Sequence, residues 1–445
     1  MRDLALAGIL VPLLAMAVVR PFVGVLVWFW IAFMSPHREV YGFAFSQPWA
    51  VLAFFATVFG CFVAREPKKL TLNAVVVGLL LFAVVITVSS AVAIVPAASV
   101  WPKWERTIKT IIGLLLAAAL LTDRRRVHAL IWLMAISLGY YGVKGGIFTL
   151  MTGGGFIVLG PPETMIQDRN DLATALLVSL PLMNYLRLYS RHRLVRIGLV
   201  LAMATTLFSV LGSQSRGALI ALAATAVMLW LRSRGKFASG IVIAIGVVAA
   251  IAFMPDSWVE RMNTMNSYQE DGSAMGRILI WKTTLAIAAA RPLTGGGFTS
   301  FYSQDIVNRF TPGTDARAAH SIWFEVIGEH GWLGFAVWLG IFAAGVWYSL
   351  RIIRLAQGRP GLGWAVDLAR MSQVSMVAYA VGGTFLSLSY WDFFWALMLV
   401  QAAVHALVVQ ALAAPAAAAA EAAAAGEPGW RGRGGVVAAR WLRTS

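Results

Sequence analysis

Apolar runs long enough to cross a bilayer as a helix, about 17 to 25 residues each, recur from the first residues almost to position 413. That repetition fixes most of what the chain can become. Inside lipid every backbone N–H and C=O must find its partner within the protein, which leaves helices or closed barrels. Runs this long are helices, because a barrel strand needs only about ten residues. Composition agrees: 59% of the residues are hydrophobic and 13% charged, against about 25% charged in a soluble domain. The expected fold is an all-α polytopic integral membrane protein with about 12 transmembrane helices and one long outer loop containing short helices.

The expected spans begin with two short runs in 4–34, split at Arg20 and Pro21. They form either a helical hairpin or one long broken span. Further spans are expected at 48–64, 71–94, 104–121, 127–150, 171–189, 195–212, 217–231, 238–254, 332–350, 371–388 and 391–413. The N-terminal run has no convincing small-residue cleavage site and is read as retained. These elements divide the chain into N-terminal transmembrane helices (1–253), a polar loop (254–331), C-terminal helices (332–412) and an Ala/Gly/Arg-rich tail (413–445). The tail is low in complexity, and Pro415 and Pro428 are expected to break any helix in it.

The net charge of +16 would suggest nucleic acid in a soluble protein. Here its distribution explains it. Segments 65–69, 123–126, 187–196, 232–236, 351–370 and 431–443 hold 21 of the 36 Lys and Arg, whereas the short segments alternating with them hold 5. Positive residues stay on the cytoplasmic side, so the 254–331 loop is expected outside, in the periplasm if the membrane is the inner membrane of a Gram-negative cell. No nucleic-acid partner is needed. Cys61 is the only cysteine, which rules out an internal disulfide and a thiolate metal site. HExxH, Walker A, GxSxG and Asp-x-Asp patterns are all missing from the sequence, so neither a metal nor a cofactor is expected.

Several polar groups fall on the outer side. Arg216 sits in a tight turn, GSQSRGA, against the inward bias of the other cations. An arginine at membrane depth is a candidate for an anionic ligand. Arg277 opens GRILIW after Glu270 and Asp271, and Gly295, Gly296 and Gly297 follow in RPLTGGGF. Glycines there either let backbone approach a phosphate or make a turn. His320 in AAHSIWFEVIGEHG is the sharpest candidate base, with His37 and His330 as outer alternatives. On a helix begun at His320, Glu325 and Glu329 would lie about 140° and 180° away, so a carboxylate partner would come from elsewhere, such as Asp168 or Asp171. Asp168, Arg169, Asn170 and Asp171 precede a span, where Asp or Asn also serves as an N-cap. Lys144 in GYYGVKGG stands near the outer face, either snorkelling or touching substrate. Lys103 and Arg106, beside Trp101 and Trp104 near the outer face, read as an interfacial anchor.

Taken in order, RPFVGVLVWFWIAFMSPHR, GYYGVKGGIFTLMTGGGFIVLGPPE, SVLGSQSRGALIAL, SAMGRILIW, AAHSIWFEVIGEHGWLGF and MSQVSMVAYAVGGTFLSLSYWD resemble the O-antigen ligase/polymerase superfamily. They are closest to its O-glycosylation ligases associated with exosortase A. The likeness covers about residues 1–412, with Arg169 standing where that branch's pattern suggests Asn. The resemblance implies a GT-C-like glycosyltransferase that takes glycan from undecaprenyl diphosphate to a lipid A–core sugar in the periplasm, without metal. It implies His320 as general base, with Arg216 and Arg277 holding the diphosphate; the reading of the residues adds Gly296, Gly297 and Lys144 as donor-binding candidates. Asp168, Arg169, Asn170, Lys103 and Arg106 would support the site or touch the acceptor. The alternatives are a polymerase of the same superfamily and, from a different class, a lipid-linked oligosaccharide flippase.

Overall fold

The structure, a computed structural model, describes residues 1–232 and 272–424, with 235–237, 240, 241, 244, 246, 248, 254 and 255 between them. The expected span at 238–254 lies largely outside the described residues, as do Glu270, Asp271 and the end of the tail. The described helices are α1 (Arg2–Val19), α2 (Pro21–Met34), α3 (Trp49–Val63), α4 (Ala74–Ala91), α5 (Ala97–Leu120), α6 (Arg124–Met151) and α7 (Arg169–Tyr189). They continue with α8 (Arg193–Gly212), α9 (Arg216–Arg232), α10 (Gly272–Ala290), α11 (Gln304–Phe310), α12 (Ile322–Ala356), α13 (Gly363–Gly383) and α14 (Asp392–Ala424). No strand occurs among the described residues. Seven of these helices are long and apolar enough to cross a membrane, and α2 and α3 are shorter apolar helices.

The sequence accounts for the helix starts. Asn73 caps α4 by accepting from the amides of Val75 and Val76, Asp123 caps α6 and Pro21 occupies the first turn of α2, where its missing N–H costs nothing. The N-terminal stretch is a hairpin. Asp3 accepts from the amides of Gly42 and Ala44, beyond the far end of α2, so α1 and α2 run antiparallel. One expectation fails at the other end: α14 runs through Pro415 to Ala424, its alanines, the strongest helix formers, carrying it past the proline.

Polar contacts sort the helix ends into two sets. At one end Glu66 pairs with Arg126 at 2.5 Å, the Tyr185 hydroxyl and His128 Nε2 are 2.6 Å apart, and Tyr189 donates to Asp367. At the other, Arg38 pairs with Glu163, the Val158 amide donates to Gly212 O and Gln214 Nε2 to Gly154 O. The candidate site residues stand at or within a few turns of this second end, Lys144 among them through its pair with Glu39.

Two close backbone approaches build that end. Where α6 meets α8, a Cβ on Gly146 would lie 1.9 Å from the Thr205 carbonyl oxygen, and one on Gly142 would lie 2.1 Å from Thr206 Oγ1. Small residues four apart let membrane helices touch by backbone, and this contact holds the loop after α6 against the Arg216 turn. The second approach is a break in α12 at Gly331 (φ 68, ψ −171). The amides of Trp332 and Leu333 turn away to Pro292 O, while the carbonyls of Gly328 and Glu329 accept from the amides of Gly296 and Gly297. The first two turns of α12 become a short half-helix, pinned to the tri-glycine turn.

Candidate active site

Two cavities lie side by side at this end. The smaller, about 110 Å³, is lined by Arg169, Asn170, Thr174, Gln214, Arg216, Arg277, Gly382 and Leu386 among others. Its three arginines come from three helices. Arg169 stands in the first turn of α7, behind the cap in which Asp168 Oδ1 accepts from Asn170 N at 2.8 Å. Arg216 opens α9. Arg277 lies one turn before Trp281 in α10, and Trp281 fixes that helix by donating to Ala319 O at 2.7 Å and stacking on Phe324 at 4.7 Å.

The larger cavity, about 650 Å³, is lined by Val95, Ser99, Lys103, Arg106, Thr299, Tyr302, Glu325, Ser387 and Tyr390 among others. Its floor is a charge network. Lys103 Nζ donates to Glu325 Oε1 and Glu329 Oε1, each at 2.8 Å. The second oxygen of Glu325 accepts from Ser389 Oγ at 2.5 Å and that of Glu329 from the Tyr390 hydroxyl at 2.6 Å. The Thr299 amide also reaches Glu329 Oε1. Both carboxylates are buried, and a buried charge persists only when paired and hydrogen-bonded in this way.

His320 is not among the lining residues of either cavity, but its backbone is tied to the segment they share. Leu386 lines the first and Ser387 the second, and the His320 amide donates to Ser387 Oγ at 3.2 Å. The residue is not the first of the helix but precedes the Ser321 N-cap, in a left-handed conformation at φ 44 that non-glycine residues rarely adopt. Helical-wheel angles therefore do not apply to it, and the charge of Glu325 does act on its imidazole. Burial holds the imidazole below its usual 6.5, the nearby Arg277 charge adds to that, and Asp168 and Glu325 oppose it. A neutral imidazole at pH 7 is able to accept a proton.

Other candidates are placed differently. Gly296 and Gly297 are buried, and their amides are bonded to Gly328 O and Glu329 O, so they fasten the half-helix rather than cradle a phosphate. Lys144 pairs with Glu39 at 2.6 Å and lines neither cavity. Lys103 turns inward to the carboxylates, while Trp104, expected with it as an anchor, donates to Thr87 Oγ1. His330 is buried among the rings of Phe82, Phe298 and Tyr390 with its Nδ1 2.6 Å from Ser89 Oγ. His37 is held near pH 4 by burial and by Arg38. The Glu325–Glu329–Lys103 network was not anticipated as a unit. Its signal is two acids one turn apart in an otherwise apolar helix, which require a cation from elsewhere.

Comparison with known proteins adds two matches. Residues 201–339 match the family model described as O-antigen ligase, a segment that contains Arg216, Arg277, His320, Glu325 and Glu329. Residues 1–191 match a family of unknown function. No curated protein matches the chain.

Proposed function

We propose that this chain, which belongs to the O-antigen ligase superfamily through residues 201–339, transfers a glycan from undecaprenyl diphosphate to a hydroxyl of a lipid A–core sugar on the periplasmic side of the bacterial inner membrane. The observation that supports the reading is the meeting of three arginines from three helices in one cavity, with the His320 backbone bonded to Ser387 of a larger one lined by hydroxyls and Glu325. Arg216 and Arg277, with Arg169 beside them, hold the donor diphosphate. Charge-assisted bonds from guanidinium groups suit phosphate oxygens and neutralise the charge that grows as the diphosphate leaves. The acceptor occupies the larger cavity, where Lys103, Arg106, Tyr302 and Glu325 stand.

The acceptor oxygen attacks the anomeric carbon as its proton passes to the His320 imidazole. The bond from that carbon to the phosphate oxygen breaks, and the diphosphate departs with the electron pair on the lipid. Attack opposite the leaving group inverts the anomeric centre. The products are the glycosylated acceptor, undecaprenyl diphosphate and one proton, and no step needs a metal. Clustering of the candidate site residues toward one end of the bundle supports an enzyme over a flippase, which needs polar groups along a path through the membrane.

The test is reconstitution of the purified chain with undecaprenyl-diphosphate glycan and lipid A–core in the presence of chelator. A glycosylated lipid A product that disappears in His320→Ala is expected. Longer glycans on the lipid carrier instead would make it a polymerase, and no new glycosidic bond with any acceptor would overturn the transferase reading.

A further inference from the structure

Two polar atoms at the edge of the smaller cavity are buried without a hydrogen-bond partner: Asp171 Oδ1 and Thr174 Oγ1. They are three apart on α7, hence on one face of the helix, directly after Arg169 and Asn170. Thr174 is 1% exposed and lines the cavity itself. Opposite it α13 presents Gly382, where a Cβ would stand 2.7 Å from Thr174 Oγ1, so no side chain from that residue caps the hydroxyl. Asp171 lies within electrostatic reach of Arg277 in the smaller cavity and of Glu325 and Tyr302 in the larger. Asp171 itself is not among the lining residues of either cavity, but it stands on α7 between Asn170 and Thr174, which line the smaller.

A buried carboxyl oxygen with open lone pairs is costly, and a diphosphate does not relieve it, because its ionised oxygens carry no hydrogen to donate. Its partner must be a neutral or positive donor. On a lipid diphosphate glycan, the groups next to the phosphates that meet this need are the hydroxyl or amide N–H groups of the first sugar. With the diphosphate at the arginines and the acceptor in the larger cavity, that sugar lies beside the first turns of α7, where Thr174 lines the smaller cavity and Asp171 stands one turn before it. Thr174, whose hydroxyl both donates and accepts, completes a two-point contact. We propose that Asp171 and Thr174 form the subsite that reads the sugar joined to the diphosphate, and that they make the site selective for a ring bearing a hydrogen-bond donor near its anomeric carbon. This rests on the donor reading above. A site built to bond a substrate O–H or N–H discriminates strongly against an analogue lacking it, because its own buried groups are then left unpaired.

The experiment measures binding of two lipids to the full chain in detergent: undecaprenyl diphosphate without sugar, and undecaprenyl-diphosphate N-acetylglucosamine. The wild type should bind the sugar-bearing lipid more tightly. Thr174→Val, nearly isosteric, should weaken that lipid about three- to tenfold, and Asp171→Leu about tenfold or more, both leaving the bare diphosphate lipid unchanged. Equal weakening of both lipids would overturn the subsite, since the pair would then act through Arg277 or through folding. No change for either lipid would also overturn it, assigning the two oxygens to bound water. A wild type that binds neither lipid, in protein that remains folded, would overturn the donor reading and the subsite with it. Should Asp171→Leu fail to fold, Thr174→Val alone decides.

Discussion

The two cavities handle charge in opposite ways. The smaller draws Arg169, Arg216 and Arg277 from three helices, and no carboxylate is among its lining residues. In the larger, the lysine is shared between two carboxylates whose remaining oxygens are bonded to Ser389 and Tyr390. One wall gathers guanidinium groups, and the other sets a lysine against carboxylates and leaves hydroxyls facing the space. Electrostatic stabilisation of a leaving group and orientation of a neutral nucleophile are different tasks, and the division matches a transfer between a charged donor and a hydroxyl acceptor.

The sharpest way to break this comparison is at the candidate base. His320→Ala should lower the transfer rate by about 10²- to 10⁴-fold, the range for loss of a positioned general base, with donor binding unchanged in a lipid-binding assay. Loss of binding along with rate would make His320 a part of the donor cavity instead. Next in size, Arg216→Ala or Arg277→Ala should reduce transfer by about 10²- to 10³-fold, the scale of removing one preorganised donor to developing charge, and should weaken donor binding too. Lysine at either place should restore only part of this, because it lacks the planar fork of guanidinium. Full rescue by lysine would mean that net charge alone matters there.

Much of the fold and the cationic half of the site were legible in the sequence, and the reason is physical. Apolar length reports directly on helices in lipid, so the seven described helices able to cross a membrane each fall on an expected span. Arg216 could be singled out because it breaks the charge asymmetry. The network at Lys103 could not be read, because its partners are separated by more than 200 residues and each alone reads as an ordinary interfacial charge. Nor could the role of the tri-glycine. RPLTGGG and GEHGW look like two separate turns until the break at Gly331 frees the carbonyls of Gly328 and Glu329 to meet the glycine amides.

Removing the lysine tests the larger cavity. Lys103→Met keeps most of the side chain's volume but leaves Glu325 and Glu329 without their cation, and breaking a buried pair from one side costs about 3–5 kcal/mol. The thermal midpoint in detergent should fall accordingly, and Glu329→Gln added to Lys103→Met should recover part of the loss by removing one uncompensated charge. A midpoint that does not move would show that the carboxylates are already neutral and that the lysine cancels nothing.

The pH profile separates the base from its surroundings with a smaller effect. The His320 imidazole is held below 6.5, so it is neutral at pH 7 and gains a proton only on acidification past its folded value. Transfer should be level above pH 6.5 and fall about tenfold per unit below the folded value. Stability moves in the same direction. The unfolded chain takes up this proton first, near 6.5, so the contribution is whole above that pH and is lost as pH falls through the folded value. In Arg277→Gln the acid limb should shift toward higher pH, since a charge that disfavours protonation has been removed. An unmoved limb would place the titrating group elsewhere.

The smallest effect belongs to the other lysine. Lys144 resembles Lys103 in the sequence, a single amine near the same face, yet it pairs with Glu39 and its side chain is 56% exposed. An exposed ion pair contributes about 0–1 kcal/mol, and neither cavity is lined by it. Lys144→Met should therefore leave the donor affinity and the transfer rate where they are and shift the thermal midpoint by a degree or two at most. The comparison with Lys103→Met is informative because the substitution is the same in both and only the surroundings differ. A large loss of transfer in Lys144→Met with an unchanged midpoint would bring Lys144 back to the substrate and would require a donor path on the Glu39 side of the bundle.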